Sequence, residues 1–524
     1  MKILLVIPQF DVIPVGISFI SASLKKAGHA VECFVYDNAE ELKKKLLTKY
    51  GFVATGGLSF LSLKLKVISE IVKASGNTLV LGGGIITSEP ELMSRFLEAE
   101  YVVIGEGEDT IVELASCLEN RSDVQQVAGI GYFKDDVFVQ TRARQPIDKL
   151  DELPFPDYES FGYKHYLDTL KPMHRWYDVF DYPREYPIIT SRSCPYSCTF
   201  CYHPLGKKYR QRSLDSIFKE LQEVMPKYRI NIIAIFDELF SYDEKRVLEF
   251  CDRFKALSRT IPWEVKWICS LRVEGLKESV LDALVSAGCF MVGFGFESYS
   301  PTVLKSMNKS ITPQQIHKAV HATLERKISI QANFIFGDKA ETMETAKETL
   351  KFWADHIEAG ILLFFVLALP NSEIYQHCIR KSIIKDKLDF INHHLFDVLN
   401  MTSLTEEQFM ELRLMVAKHI HGYSVYAVPL KRTKNSVEIR CPFCKSKLKF
   451  KNYITPPLIF FFMMHCRVCR KQFYNVSALY KIAARLARVL FSPLLYRIFQ
   501  WTKRLLGIAS PRLVFKDLAR KKEK

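Results

Sequence analysis

Along the first 120 residues, short, largely apolar runs alternate with longer stretches whose apolar positions recur every three or four residues. Lys2–Ile7, Val31–Tyr36, Phe52–Ala54, Thr78–Leu81 and Tyr101–Ile104 are short and rich in β-branched residues. That pattern predicts parallel strands buried on both faces. Gly16–Ala27, Lys64–Ser75, Glu89–Leu97 and Glu108–Leu118 carry the helical period. Strand and helix in alternation predict a doubly wound open sheet. Ligands of such sheets lie beyond the C-terminal strand ends. Here those ends carry Pro8-Gln9, Gly56-Gly57-Leu58-Ser59, Gly82-Gly83-Gly84 and Gly105-Glu106-Gly107-Glu108. Glycine at such a point lets a ligand approach the backbone closely.

Gly129–Gln140 reads as a hairpin turning at Asp135-Asp136, and Leu150–Tyr158, with Pro154 and Pro156, as a linker. A second series of strands follows: Pro187–Thr190, Ile232–Phe236, Val265–Ser270, Met291–Phe296, Ser329–Phe336 and Leu362–Leu367. Six βα units at this spacing predict a curved parallel sheet, a partial (βα)6 barrel. The α/β chain thus divides into a Rossmann-type domain (1–145), a linker (146–185), a barrel (186–375), a helical extension (376–430), a small module (431–478) and a basic tail (479–524).

Composition changes this picture mainly at the C-terminus. The net charge is +15, but from Lys431 to Lys524 there are 23 Lys/Arg against Glu438, Asp517 and Glu523 alone, and the remainder is slightly acidic. A near-neutral body therefore carries a basic end suited to anionic lipid, nucleic acid or another polyanion. Leu479–Val489 and Leu494–Leu506 read as two helices broken at Pro493, with Lys481, Arg485 and Arg488 on one face. Leu479, Ile482, Leu486 and Leu490 lie opposite, and Phe499, Trp501 and Leu505 populate the second helix. Such a pair either docks on a membrane surface or packs on the body with its basic face in water; Arg520–Lys524 reads as a disordered end. The opening MKILLVIPQF lacks the parts of a signal peptide, and no apolar run approaches the ~18 residues of a membrane span. A cytoplasmic protein is expected, with peripheral membrane contact through the tail.

Seven of the thirteen cysteines fall into two metal-ligand patterns. Cys33, Cys117, Cys251, Cys269, Cys289 and Cys378 are scattered and read as small buried hydrophobes. Cys441-Pro442-Phe443-Cys444 and Cys466-Arg467-Val468-Cys469 are paired C-x2-C knuckles, the ligand set of a closed structural zinc site of ribbon type, with a second iron–sulfur cluster as the competitor. The run Leu458–Met464 between them is either a buried ribbon strand or an apolar surface. Cys194, Cys198 and Cys201 form C-x3-C-x2-C directly after the first strand of the second series, where parallel barrels place their chemistry. Three thiolates on a four-iron cube leave one iron open to another ligand.

This motif, with Phe200 before its last cysteine, resembles that of the radical S-adenosylmethionine (SAM) superfamily. The resemblance implies a 4Fe–4S cluster on the three cysteines and SAM on the open iron. It implies reductive cleavage of SAM to a 5′-deoxyadenosyl radical, fed by a reducing partner such as flavodoxin or ferredoxin. On the same footing Asp237 and Glu238 are expected near the SAM amino group, Arg272 at its carboxylate and Glu297 at its ribose. Tyr202 is expected to offer backbone groups near the adenine. Phe336-Gly337…Glu341-Thr342 and Pro370-Asn371-Ser372…Tyr375 resemble later landmarks. No catalytic acid or base is nominated.

The doubly wound domain before such a barrel resembles the cobalamin-binding class of the superfamily. Pro8, Ser59, Gly83, Gly84, Gly105 and Glu106 are the cobalamin contacts this implies. The pattern Asp-x-His-x-x-Gly, which supplies an axial histidine in many cobalamin domains, is absent; His29, the lone histidine before residue 145, is expected at the surface. The alternatives are bound cobalamin or a retained structural domain. The class implies C-methylation of an unactivated carbon, on a small molecule or, as the basic amphipathic end favours, a lipid-linked substrate. The alternatives are a radical SAM cyclase or oxidoreductase without cobalamin, and an RNA-modifying enzyme. The methylthio-transferring version of the latter carries extra N-terminal cysteines, where this chain has only Cys33 and Cys117.

Overall fold

Six residues at the start, Lys2–Ile7, form strand β1, an interior strand of the first sheet, because the apolar run after Lys2 can be buried on both faces. The computed structural model describes residues 1–8 and 14–490, with the backbone alone for 485–490. β2 (Ala30–Val35), β3 (Phe52–Gly56), β4 (Leu79–Gly82), β5 (Tyr101–Val103), β6 (Ile130–Lys134) and β7 (Val137–Gln140) complete a seven-stranded sheet in the order β2-β1-β3-β4-β5-β6-β7. The first five are parallel. β6 and β7 add the expected antiparallel hairpin, whose turn residues Asp135 and Asp136 are both left-handed, as a two-residue turn requires. The order of strand addition reverses between β1 and β3, and this opens a crevice at their C-terminal ends. One helix, Ala39–Lys45, escapes the periodicity because only Leu42 of its seven residues is buried. His29 is not at the surface: it is buried beneath the N-terminus, its Nδ1 3.2 Å from the Met1 amino group.

The second sheet holds β8 (Glu185–Ile188), β9 (Ile232–Ile235), β10 (Lys266–Leu271), β11 (Cys289–Glu297), β12 (Ser329–Phe336) and β13 (Leu362–Phe365), all parallel and adjacent in chain order. β8 begins earlier than the apolar pattern indicates because Glu185, a charged type, is buried at its start. The segment 146–185 is more than a connector. Tyr158, Tyr163, Tyr166 and Tyr177 are buried, and the hydroxyls of Tyr158 and Tyr163 donate to the carbonyls of Pro187 (3.1 Å) and Glu185 (2.6 Å). These are backbone acceptors that an open barrel would leave bare on its edge strand. After β13, Ile374, Tyr375, Phe390 and Ile391 share one core with Leu65, Ile68 and Met93 of the first domain.

The cysteine-rich module folds as two three-stranded sheets. One is ordered β15-β16-β17 (Lys431–Thr433, Ser436–Arg440, Lys447–Lys451). The other is ordered β14-β19-β18, with β14 at Tyr426–Ala427, β18 at Phe461–His465 and β19 at Gln472–Val476. The apolar run is divided: Leu458 and Ile459 are exposed, whereas Phe460 and Met464 are buried. The module sits on the N-terminal end of the barrel. The backbone N–H of His465 donates to buried Asp178 (2.6 Å), Arg467 bonds the Asp178 carbonyl and Asp181, and Ser329, which opens β12, donates to the Arg470 carbonyl. Helix Ala478–Leu490 follows; Tyr480 packs on Phe461, while Leu479 and Ile482 are exposed. Gln9, the side chains of Arg485, Leu486, Arg488 and Leu490, and everything expected from Pro493 onward, including Leu494–Leu506 and Arg520–Lys524, lie outside the described residues. Among the described residues no helix is long and apolar enough to cross a membrane.

Candidate active site

The loop after β8 is shaped before its cysteines are reached. Asp237, just past β9, is buried and accepts from the Thr190 N–H (2.6 Å), the Ser191 hydroxyl (2.7 Å) and the Thr190 hydroxyl. Burial pushes its carboxyl up, against the lowering effect of those donors. Ser193 then takes a left-handed conformation (φ 68°) that turns the chain into Cys194. Three bonds tie the loop to two places: the Thr199 N–H donates to the Met307 carbonyl (3.1 Å) and Asn308 to the Ser197 carbonyl (2.9 Å), both from one turn, and the Ile374 N–H donates to the Thr199 carbonyl (3.1 Å). Cys194, Cys198 and Cys201 are all partly buried. Burial pushes the Cys194 thiol up and that of Cys201 up to about 12.

Around this loop the structure gathers most of the residues expected to meet SAM. Glu238 is exposed, and its charge is felt at both Cys194 and Cys201. Arg272 lies over the Tyr196 ring, 3.4 Å from its centre, and bonds Glu274 at 3.2 Å; its Nε is shielded from solvent and unpartnered. Glu297, left-handed at the end of β11 (φ 62°), pairs at 2.9 Å with Lys309, whose Nζ lies 5.9 Å from the centre of the Phe200 ring. Gly295 leaves room for this pair: a Cβ would come within 2.5 Å of both Glu297 Oε1 and Lys309 Nζ, and the two side-chain ends would have to move. Asp237 is the exception. Its oxygens are taken by Thr190 and Ser191, so it positions the loop instead of facing outward.

Tyr202, one residue past the last cysteine, donates to the Gly84 carbonyl at 2.5 Å. The end of the barrel strand and the glycine end of the first sheet therefore share a wall. Burial pushes the Tyr202 phenol up to about 12. A Cβ on Gly84 would lie 2.6 Å from that hydroxyl, and one on Gly83 (φ 88°) would lie 2.9 Å from Gly57 N, so neither position admits a side chain. Gly105 (φ 84°) receives no such crowding and is held by Thr87. Pro8 is buried at the end of β1, and Ser59 is half-buried in the turn after β3. Glu106 has a different role from the one expected. Its oxygens accept from Arg210 at 2.7 and 2.9 Å, from Arg192 at 3.1 Å and from the Ile147 N–H at 2.6 Å, and Arg192 also bonds Glu108 at 2.6 Å. Burial alone would raise the Glu106 carboxyl, but the two guanidiniums outweigh it and hold it below the usual range.

Two features lay beyond sequence reasoning. His203, next to Tyr202, has both ring nitrogens shielded from solvent and without a partner; a single histidine in a loop gives no periodic signal. A cavity of about 310 Å³ within the barrel is lined by Trp176, Asp237, Ser270, Met291, Gly293 and Gln331 among others. Trp176 comes from the segment read as a linker.

Residues 188–352, which contain the cysteine loop and the strands that surround it, match the radical SAM superfamily. The chain carries a radical SAM domain. It is 27% identical over 434 residues to an uncharacterized methyltransferase, PH0819, of Pyrococcus horikoshii, covering 79% of this chain and 90% of that one. It is also 27% identical over 358 residues to the anaerobic magnesium-protoporphyrin IX monomethyl ester cyclase of Cereibacter sphaeroides, covering 64% of this chain and 56% of the cyclase. The radical SAM methyltransferase TsrM of Kitasatospora setae, solved with cobalamin and a [4Fe-4S] cluster bound, shares the fold with a TM-score of 0.60 at 18% identity, over 72% of this chain and 75% of that one.

Outside the radical SAM domain, the thiols of Cys441, Cys444, Cys466 and Cys469 all lie within 4.8 Å of one another. Cys441 and Cys469 are 3.8 Å apart, and Cys444 and Cys466 3.6 Å. A tetrahedron of thiolates about 2.3 Å from one zinc has edges of about 3.8 Å, so the set fits a single ion better than a cube, which spreads its thiolates wider.

Proposed function

We propose that this chain is a cobalamin-dependent radical SAM methyltransferase that modifies an unactivated carbon of a small molecule. The observation that carries it is the Tyr202–Gly84 hydrogen bond, which joins the loop of the three cysteines to the glycine end of a sheet whose 2-1-3-4-5 strand order forms a ligand crevice. A second reading, ring closure, draws on the resemblance to the cyclase.

The residues fit the groups. Cys194, Cys198 and Cys201 would hold a 4Fe–4S cluster with one iron open to SAM; Arg272, with its unpartnered Nε, would take the SAM carboxylate and Glu238 its amino group. Pro8, Ser59, Gly83, Gly84 and Gly105 would line the cobalamin side. When bound, these groups supply one-electron reduction, radical formation and methyl carriage. The chain's part is to position them. Asp237 fixes the start of the loop, Arg192 and Arg210 clamp the two domains through Glu106, and Lys309 holds Glu297 beside Phe200. The barrel cavity between Trp176 and Gln331 would receive the substrate, and a flavodoxin- or ferredoxin-like protein would supply electrons. The four-cysteine set would hold structural zinc. The basic tail, with exposed Leu479 and Ile482 at its head, would touch a membrane surface that presents a lipid-linked substrate.

The test is anaerobic purification with cobalamin present, followed by metal analysis and a SAM-cleavage assay. Four irons, cobalamin retained on the chain and deoxyadenosine release are expected. Cys198→Ala must lose the iron, and iron with deoxyadenosine but no retained cobalamin would leave the cyclase reading.

A further inference from the structure

On the outside of the barrel, away from every residue discussed so far, three imidazoles converge. His317 and His321 lie one turn apart on helix Pro313–Glu325, so their side chains share a face. His356 ends the neighbouring helix Met343–Asp355. One ring nitrogen from each lies within 4.8 Å of the others. The rings meet edge to face, with centres 4.4 Å (His317–His321), 5.3 Å (His317–His356) and 5.4 Å (His321–His356) apart.

His356 shows how such a group is prepared for a metal. Its Nδ1 is 2.9 Å from the Phe352 carbonyl, and a carbonyl only accepts, so Nδ1 carries the proton and Nε2 carries the lone pair. That backbone hydrogen bond is the usual outer support of a ligating histidine. The ring also stacks on Phe352, with centres 4.2 Å apart at 24°, which fixes its plane. Asp355, the nearest acid in the chain, is engaged by Lys351 at 2.6 Å, so the donor set is nitrogen only.

We propose that His317, His321 and His356 form a binding site for a divalent late transition metal, zinc foremost. Zinc–nitrogen bonds of about 2.0–2.1 Å put the nitrogens about 3.3 Å apart, so they must close by up to about 1.5 Å, within the swing of His317 and His321, which are exposed. The exposure leaves the fourth position to water or a solute. Neutral imidazoles favour zinc, copper and nickel over magnesium or calcium. The site lies near the N-terminal ends of the barrel strands, because His356 precedes β13, whereas the cysteine loop occupies the opposite end. Its effect is therefore to clamp two outer helices of consecutive βα units.

The test is zinc content and zinc-edge X-ray absorption on the full-length protein, comparing wild type with His321→Ala and with His317→Ala/His356→Ala. Wild type should hold one zinc per chain more than either variant, and that zinc should show nitrogen and oxygen neighbours without sulfur. Titration of zinc into the variants should show binding at this site weakened at least tenfold, on the scale of losses seen when even an outer support is removed. Lys318→Ala, on the same helix, should keep the wild-type count. His321 is exposed, so its variant tests the site with the fold intact. Equal zinc in wild type and His321→Ala, or sulfur around every zinc, overturns the proposal.

Discussion

Arg210 presents one guanidinium nitrogen to both carboxylate oxygens of Glu106, at 2.7 and 2.9 Å, across the seam between the first sheet and the barrel. Both side chains are almost completely buried. Removing Arg210 leaves Glu106 with Arg192 at 3.1 Å and the Ile147 N–H at 2.6 Å, so the cost lies at or below the lower end of the about 3–5 kcal/mol of a fully stranded buried charge. Arg210 also donates to Ser193, beside Cys194. Arg210→Met should therefore lower stability by that order and shed cluster iron as well. Denaturant titration and iron per chain measure the two effects; wild-type values for both would dismiss the clamp.

Tyr202→Phe removes the hydroxyl that bonds the Gly84 carbonyl while leaving all three cysteines in place. The lost hydrogen bond is worth about 1 kcal/mol. Iron content should stay at the wild-type level, and cobalamin should bind roughly fivefold more weakly. Equilibrium dialysis against cobalamin separates this from a loss of cluster, and undiminished affinity counts against a cofactor at the shared wall.

Gly295→Ala drives a methyl group into the Glu297–Lys309 pair. The pair must part, a movement open to the flexible ends of both side chains, so the cost to stability should stay below the about 1–3 kcal/mol of core overpacking. SAM affinity should fall while iron binding persists. Calorimetric titration with SAM on the reconstituted protein decides it.

Glu185 is wholly buried at the start of β8, and burial raises its carboxyl to about 7, opposed by the charge of Arg175. A raised carboxyl binds its proton more tightly in the folded state, so its contribution is complete below the unfolded value near 4.5. It is lost as pH climbs through 7. Glu185→Gln should stabilise the protein at pH 8 by on the order of 3 kcal/mol, and hardly at all at pH 5. Melting curves at the two pH values test the sign, and a gain confined to pH 5 would contradict it.

Apolar pattern alone located β1 and β12 to the residue, since Lys2–Ile7 and Ser329–Phe336 have no competing signal. The turn at Asp135-Asp136 was legible because few residue types accept left-handed backbone twice in succession. The cysteines were legible because their ligands are close in sequence. Glu106 was misread for the opposite reason: its partner Arg210 stands 104 residues away, and an acid near glycines looks the same whether it meets a cofactor or an arginine. The histidine triad was hidden because His356 reaches it from another helix. The segment 146–185 looked like a linker because its prolines are conspicuous, whereas its buried tyrosines carry no period.

The contact between Asp178 and His465 spans 287 positions of sequence. During synthesis, the segment that closes the edge of β8 and contributes Trp176 to the barrel cavity must wait for residues 465–470 to leave the ribosome before Asp178 finds its donor. The barrel, whose last strand ends at Phe365, thus stays unsealed at one end until His465 has been made, and long-range closure of this kind is slow and prone to aggregation. Folding of the strand and turn that carry His465, Arg467 and Arg470 then sets the moment at which that end of the barrel is sealed.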